Sequence, residues 1–79
     1  GFGEFKIAPQ LGDLTWVETV VPTPRGDIFV RWDRNHERAR LTTCIPEGTR
    51  ATVFPPVGFL GSTRLDPGRH EVEFQADAG

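Results

Sequence analysis

One cysteine, Cys44, is the only thiol among the 79 residues, and methionine is absent. A lone cysteine excludes an intrachain disulfide, on which small secreted domains usually rely. That leans the reading towards a reducing, cytoplasmic-type compartment, or towards a domain supported by its neighbours. The missing methionine, with a Gly1-Phe2 start, reads as a piece of a larger polypeptide. No run of about twenty apolar residues is present to span a bilayer. The opening GFGEFKIAP lacks the charged region and apolar core of an export signal, which would then lie outside this stretch. Basic excess is lacking too: nine Lys and Arg face eleven Asp and Glu, for a net charge of −2. Such a chain sets up no field to draw nucleic acid or an anionic membrane, so neither is an expected partner. Nor does any stretch sustain an i, i+3, i+4 apolar stripe free of Gly and Pro, which excludes a helical core.

What remains is a folded, turn-rich composition. Hydrophobic residues make up 37%, six of them Phe, among seven Pro and nine Gly. Residues 1–79 are expected to form a single domain, and a chain this short buries only about 60% of its unfolded surface, so stability is marginal. Apolar residues recur with period two, the mark of half-buried strands. Phe5 and Ile7 alternate with Glu4 and Lys6 before Pro9, and residues 10–13 read as a turn. Leu14 to Val21 is rich in β-branched and aromatic residues, with two apolar faces that suggest cover on both sides. Pro22 and Pro24 end that strand or place it at an edge. Asp27 to Trp32 alternates most clearly, with Ile28, Val30 and Trp32 on one face and Asp27, Phe29 and Arg31 on the other. Residues 33–38 read as a charged hairpin loop with Asp33 and Asn35 as turn formers. Ala39, Leu41, Thr43 and Ile45 line the inner face of the returning strand.

Turn chemistry punctuates the rest. Pro24 and Gly26, Pro46 and Gly48, and Pro67 and Gly68 each pair a residue of fixed φ with one that tolerates reversal. Ala51–Phe54 is a strand closed by Pro55-Pro56, Val57 to Leu65 is irregular, and Val72 and Phe74 mark a last amphipathic strand. Six or seven short strands with turns between them make an all-β, antiparallel β-sandwich, jelly-roll-like in character.

Each chemical candidate has a plainer structural reading. Glu71 and Glu73 form the one tempting carboxylate pair, but at i, i+2 opposite Val72 and Phe74 they read as a solvated face. His36 and His70 lack the further ligands a zinc centre needs, and Cys44 reads as a small packing residue without a neighbouring base. No glycine-rich turn opens a helix, so no phosphate cradle or cofactor is expected. Arg25-Gly26-Asp27 has the composition of an adhesion signal, yet Pro24 before it and a strand after it favour a tight turn. Trp16 or Trp32 could stack a sugar, and carbohydrate contact is the alternative function; Trp32 shares the inward register of Ile28 and Val30.

Taken in order, the pieces carry a further likeness. The stretch GFGEFKIAPQLGDLTWVETVVPTPRGDIFVRW, then LTTCIPEGTRATVFPP, then DPGRHEVEF resembles the C-terminal β-sandwich domain of bacterial α-L-rhamnosidases of glycoside hydrolase family 78. Its elements are the Gly-Phe start, the Ile-x-Pro strand end, the Leu-Thr-Trp strand and the Thr-Pro-x-Gly turn leading to a strand that ends in Trp. Val57 to Leu65 departs most from that pattern, and Thr43 stands where an aliphatic residue is typical. The resemblance implies an accessory domain that packs on and supports a preceding catalytic (α/α) barrel of the same parent chain. That barrel would hold the carboxylates that hydrolyse terminal α-L-rhamnose with inversion, so no catalytic residue is expected here. Trp16 and Phe29, with Val17, form the second apolar face, expected to contact the barrel or a carbohydrate.

Overall fold

The period-two pattern becomes seven strands, with no helix among the described residues, in a computed structural model that describes residues 3–77. They are β1 (Gly3–Ile7), β2 (Trp16–Thr23), β3 (Gly26–Arg34), β4 (Arg38–Ile45), β5 (Thr49–Val53), β6 (Thr63–Leu65) and β7 (Gly68–Gln75). The Gly1-Phe2 start and the last two residues of the tail lie outside the described residues. Two sheets pack together as a sandwich, a larger one in the order β2-β3-β4-β7 and a smaller one in the order β1-β5-β6. Every pairing is antiparallel except β1 with β5, which is parallel. These two strands come from distant parts of the chain, and the long connection through the larger sheet is what a parallel pair requires.

Alternation sets the inner face. On β3 the side chains of Ile28, Val30 and Trp32 are buried, and on β4 those of Ala39, Leu41, Thr43 and Ile45. Trp32 lies opposite Leu41, and Leu41 opposite Val72, so one register row carries the core across three strands. Trp32, only 1% exposed, also meets the Phe74 ring at 6.0 Å between centroids, tilted by 33°. The smaller sheet closes the core with Ile7, Ala51, Val53 and Leu65. Thr43 keeps its place among these apolar side chains because its hydroxyl donates to the Phe29 carbonyl at 2.6 Å. A buried hydroxyl with a partner is tolerated where a bare one is not.

Several expectations need adjustment. The hairpin loop is shorter than residues 33–38: β3 runs on to Arg34 and only 35–37 turn. Asn35 is the turn former, its Oδ1 accepting the backbone N–H groups of Glu37 at 2.7 Å and Arg38 at 2.9 Å. Asp33 is a strand residue whose carboxylate is held by Arg31. Thr63–Leu65 forms a three-residue strand inside the segment that reads as irregular, too short for alternation to reveal. The second strand starts at Trp16 rather than Leu14, and it is not covered on both sides. As the outermost strand of the larger sheet it carries Pro22, as an edge allows. Val17 faces inward with Trp32 in register, so it does not share a face with Trp16 and Phe29.

The two edges of the larger sheet differ. Along β7, Leu60 N–H bonds the Gln75 carbonyl at 2.9 Å and Asp77 N–H the Gly58 carbonyl at 2.8 Å, so residues 58–60 line that edge. At β2, three strands facing four leave the inner side half-covered: Thr19 is exposed although Val30, beside it in register, is buried. A groove of about 280 Å³ runs there between residues 6–10 and β2, reaching Val30 and Trp32.

Two substitutions test this packing. Trp32→Ala removes the largest buried side chain and is expected to cost about 3–5 kcal/mol, enough to unfold most of so small a domain; an unchanged thermal midpoint would contradict the assignment of the core. Thr49 is fully buried and its Oγ1 has no hydrogen-bond partner among the described residues. Thr49→Val is expected to raise stability by about 1 kcal/mol, read from the urea midpoint, because it removes an unpaired buried hydroxyl.

Candidate interaction surface

The outward residues of the larger sheet form the chemically richest surface. On β2 and β3 these are Trp16, Glu18 and Val20 facing Asp33, Arg31 and Phe29 in register. Residues i and i+2 share a strand face, so Arg31 and Asp33 lie side by side while Glu18 stands directly across. Arg31 Nε donates to Asp33 Oδ2 at 2.9 Å and Nη2 to Oδ1 at 3.0 Å, a bidentate fork. Its Nη1 is 3.3 Å from Glu18 Oε2. The guanidinium carbon also lies 5.0 Å from the centroid of the Trp16 ring, a cation–π contact. The bond to Asp33, followed by that to Glu18, raises the Arg31 pKa above its ordinary value. Beyond it Arg40 donates to Glu73 at 3.0 Å, with Arg38 3.7 Å away from the same carboxylate, and the row Trp16, Asp33, Arg40, Glu73 crosses all four strands.

Trp16 and Phe29, expected as contact residues, share this face but are not brought together. Trp16 is 53% exposed and belongs to the charged row. Phe29, 38% exposed, sits between Val20 and Cys44 in a separate apolar row. From Trp16 to Val20 is about 13 Å along the strand, at about 3.3 Å per residue. Trp32 cannot stack a sugar, since it is buried in the core, so of the two tryptophans only Trp16 is offered to a ligand. The outward position of Val20 is missed by composition, because LTWVETVV carries apolar residues on both faces. A second apolar group, Phe54, Val57 and Leu60, stands on the β5–β6 connection, with Val57 97% exposed.

The other sequence candidates fall into structural roles. Glu73 is paired with Arg40 and Arg38, and Glu71 with Arg69 at 3.6 Å, on the solvated face expected of them. His36 is exposed in the hairpin loop, and His70 Nε2 lies 2.7 Å from the Asp66 carbonyl. Among the described residues no group of three or more His, Cys, Asp or Glu could hold a metal ion. Cys44 is exposed on the outer face, so it does not pack the core as expected.

Arg25-Gly26-Asp27 is part of a hairpin turn. Thr23 Oγ1 accepts the Arg25 N–H at 3.2 Å, Pro24 and Arg25 make the bend, and Thr23 pairs with Gly26. Gly26 has φ 131° and lies so close to the next turn that a Cβ would stand 3.3 Å from Pro46 Cβ. The Arg25 side chain in turn lies over Gly48, at φ 78° the reversal of the 46–48 turn. Pro67 precedes β7, which Gly68 begins. The tripeptide therefore locks two turns together, and Asp27 is already a strand residue.

These features define a small β-sandwich module with a mixed aromatic and charged outer face. Its family is fixed by comparison: the family model described as the bacterial alpha-L-rhamnosidase C-terminal domain matches residues 1–64. The chain belongs to that family. The match spans β1 to β5 and ends within β6, so the likeness carried by DPGRHEVEF lies beyond it. Comparisons with curated proteins and with solved structures returned no match.

Gly26→Ala tests the turn. A non-glycine residue at this φ is strained and its Cβ would press on Pro46, so a loss of about 1–3 kcal/mol is expected in urea unfolding; a loss no larger than at an ordinary surface site would show that the two turns are not coupled.

Proposed function

We propose that this chain is a non-catalytic accessory domain of an α-L-rhamnosidase, packing on the catalytic domain of its own parent chain and supporting it. The carrying observation is the family match over residues 1–64, a family defined as the C-terminal domain of that enzyme. A C-terminal domain of a multidomain hydrolase has a catalytic partner in the same polypeptide. In this reading the partner is a helical (α/α) barrel whose paired carboxylates remove terminal α-L-rhamnose with inversion, one as acid and one as base on a water. Among the described carboxylates, Glu4, Glu18, Asp33, Asp66, Glu71 and Glu73 are paired with arginines, which suits a supporting role.

The outer row Val20, Phe29 and Cys44 supports the packing role, because these three side chains carry no charge, the row ending on β7 at Arg69, which is paired with Glu71. Interfaces within a chain bury such rows and leave charged pairs to the rim. Phe29→Asp separates docking from folding. In the isolated chain the substitution removes a partly exposed aromatic from an interior strand, and the unfolding free energy should fall by about 1 kcal/mol. In the rhamnosidase that carries this domain the same change should lower the unfolding temperature of the whole enzyme. Equal behaviour of wild type and variant in the parent would rule out this docking row. Separately, the pure 79-residue chain should release nothing from a chromogenic α-L-rhamnoside; measurable turnover that survives repurification would overturn the accessory reading.

A further inference from the structure

We propose that the free edge of β2 pairs with β2 of a second copy of this chain, antiparallel about Thr19, so that two four-stranded sheets become one continuous sheet. The ladder to β3 decides which backbone groups are on offer. Arg34 N–H bonds the Thr15 carbonyl at 2.8 Å, which extends the pairing of Trp16 with Asp33 by one residue. Antiparallel pairs alternate between bonded and unbonded, so the odd-numbered residues of β2 turn their backbone groups to β3. Trp16, Glu18 and Val20 turn theirs away from it, and Pro22, with no N–H to leave bare, falls on the same side. Among the described residues no strand and no further backbone bond meets that edge. Unpaired edge groups are a template for another strand. The inner side of β2 is open as well: Val17 and Val21 are only half-buried and Thr19 is exposed, so nothing overhangs the middle of the strand.

The occupant is a second copy because β2 is complementary to itself in this one register. A two-fold contact uses each residue pair twice. Setting Thr19 opposite Thr19 puts Val17 opposite Val21 on the inner face, and Glu18 opposite Val20 and Trp16 opposite Pro22 on the outer face. Glu18 and Val20 then exchange two bonds at each end and Trp16 N–H reaches the Pro22 carbonyl once at each end, six in all. Trp16 and Val20, both exposed in the single chain, gain apolar cover from Pro22 and from the stem of Glu18. Glu18 keeps its own Arg31 as counter-ion. The neighbouring registers are worse. A slip one way sets Glu18 against Glu18, like charges face to face, and a slip the other way sets Val17 against Thr23 and leaves four bonds. The contact is one strand wide, short of the roughly 1,200–2,000 Å² that holds permanent complexes, so the dimer is a weak one. The outer face at Phe29 stays uncovered, and the pairing is independent of the accessory reading.

Sedimentation of the 79-residue chain from low-micromolar to millimolar concentration tests this. The mass should rise from 8.8 kDa towards twice that value. Thr19→Lys sets like charges opposite each other on the two-fold axis, and Val20→Pro removes an edge donor that the β2–β3 ladder does not use. Each should weaken the dimer at least about tenfold, while the near-ultraviolet signal of buried Trp32 shows the fold intact. Cross-linking reads the register itself, in a Cys44→Ser background because Cys44 is exposed. Thr19 faces its own copy in an unbonded pair, about 4.5 Å between Cα atoms and within disulfide reach, so Thr19→Cys should oxidise to a linked dimer. Glu18→Cys, which has Val20 opposite, should not. A monomer at every concentration, a dimer that survives both edge substitutions, or Thr19→Cys linking no faster than Glu18→Cys would overturn the proposal. None of these results bears on docking, since no catalytic domain is present.

Discussion

Burial of Trp32 is the constraint on which the rest depends. It is the largest side chain in the core, and it stands on β3, the strand that contacts both β2 and β4. Side chains alternate along a strand, so placing Trp32 inside places Ile28 and Val30 inside and turns Phe29, Arg31 and Asp33 out. The register then carries that choice to the neighbours: Leu41 and Val72 follow Trp32 inward, while Asp33 and Arg40 follow each other outward. Phe74, in ring contact with Trp32, ties the last strand to the third across β4. The outer face is thus a by-product of the core, and any function it has is displayed by that constraint.

The inequality of three strands against four gives the domain its asymmetry. The β7 edge is lined by residues 58–60, whereas β2 is half-covered on its inner side. Exposed Leu14, Trp16 and Val20 all lie on or next to β2. A small domain that buries only a modest fraction of its surface gains most from a neighbour at such an edge. The family is defined as an enzyme's C-terminal domain, which implies a catalytic domain in the same polypeptide.

Much of this was legible in the sequence wherever one face is buried and the other wet. Ile28, Val30 and Trp32 alternate without exception, and Gly26 and Gly48 take positive φ at two chain reversals, 131° and 78°, whereas Gly68 begins β7. The family was legible too, over the residues that build β1 to β5. Legibility fails where physics is non-local. Nothing in GEFKI states that it will pair in parallel with TRATV, because that pairing is decided by how the larger sheet separates them. Trp16 and Val17 are adjacent and both apolar, and only the register of β2 against β3 sends one out and the other in. Cys44 looked like packing by residue type, but its neighbours Thr43 and Ile45 had already claimed the inside. Asp33 looked like a turn former until Arg31, two residues away, gave its carboxylate a better partner on the strand.

The central claim, that a core anchored by Trp32 holds β3 and β4 while β2 remains a weaker edge, is tested most directly by native-state hydrogen exchange of the chain. The slowest amides should be those of the β3–β4 ladder around Trp32 and Leu41, opening only with global unfolding, while β2 exchanges through smaller local openings. Protection in β2 equal to that in β4, or the slowest exchange falling in the smaller sheet, would contradict the account.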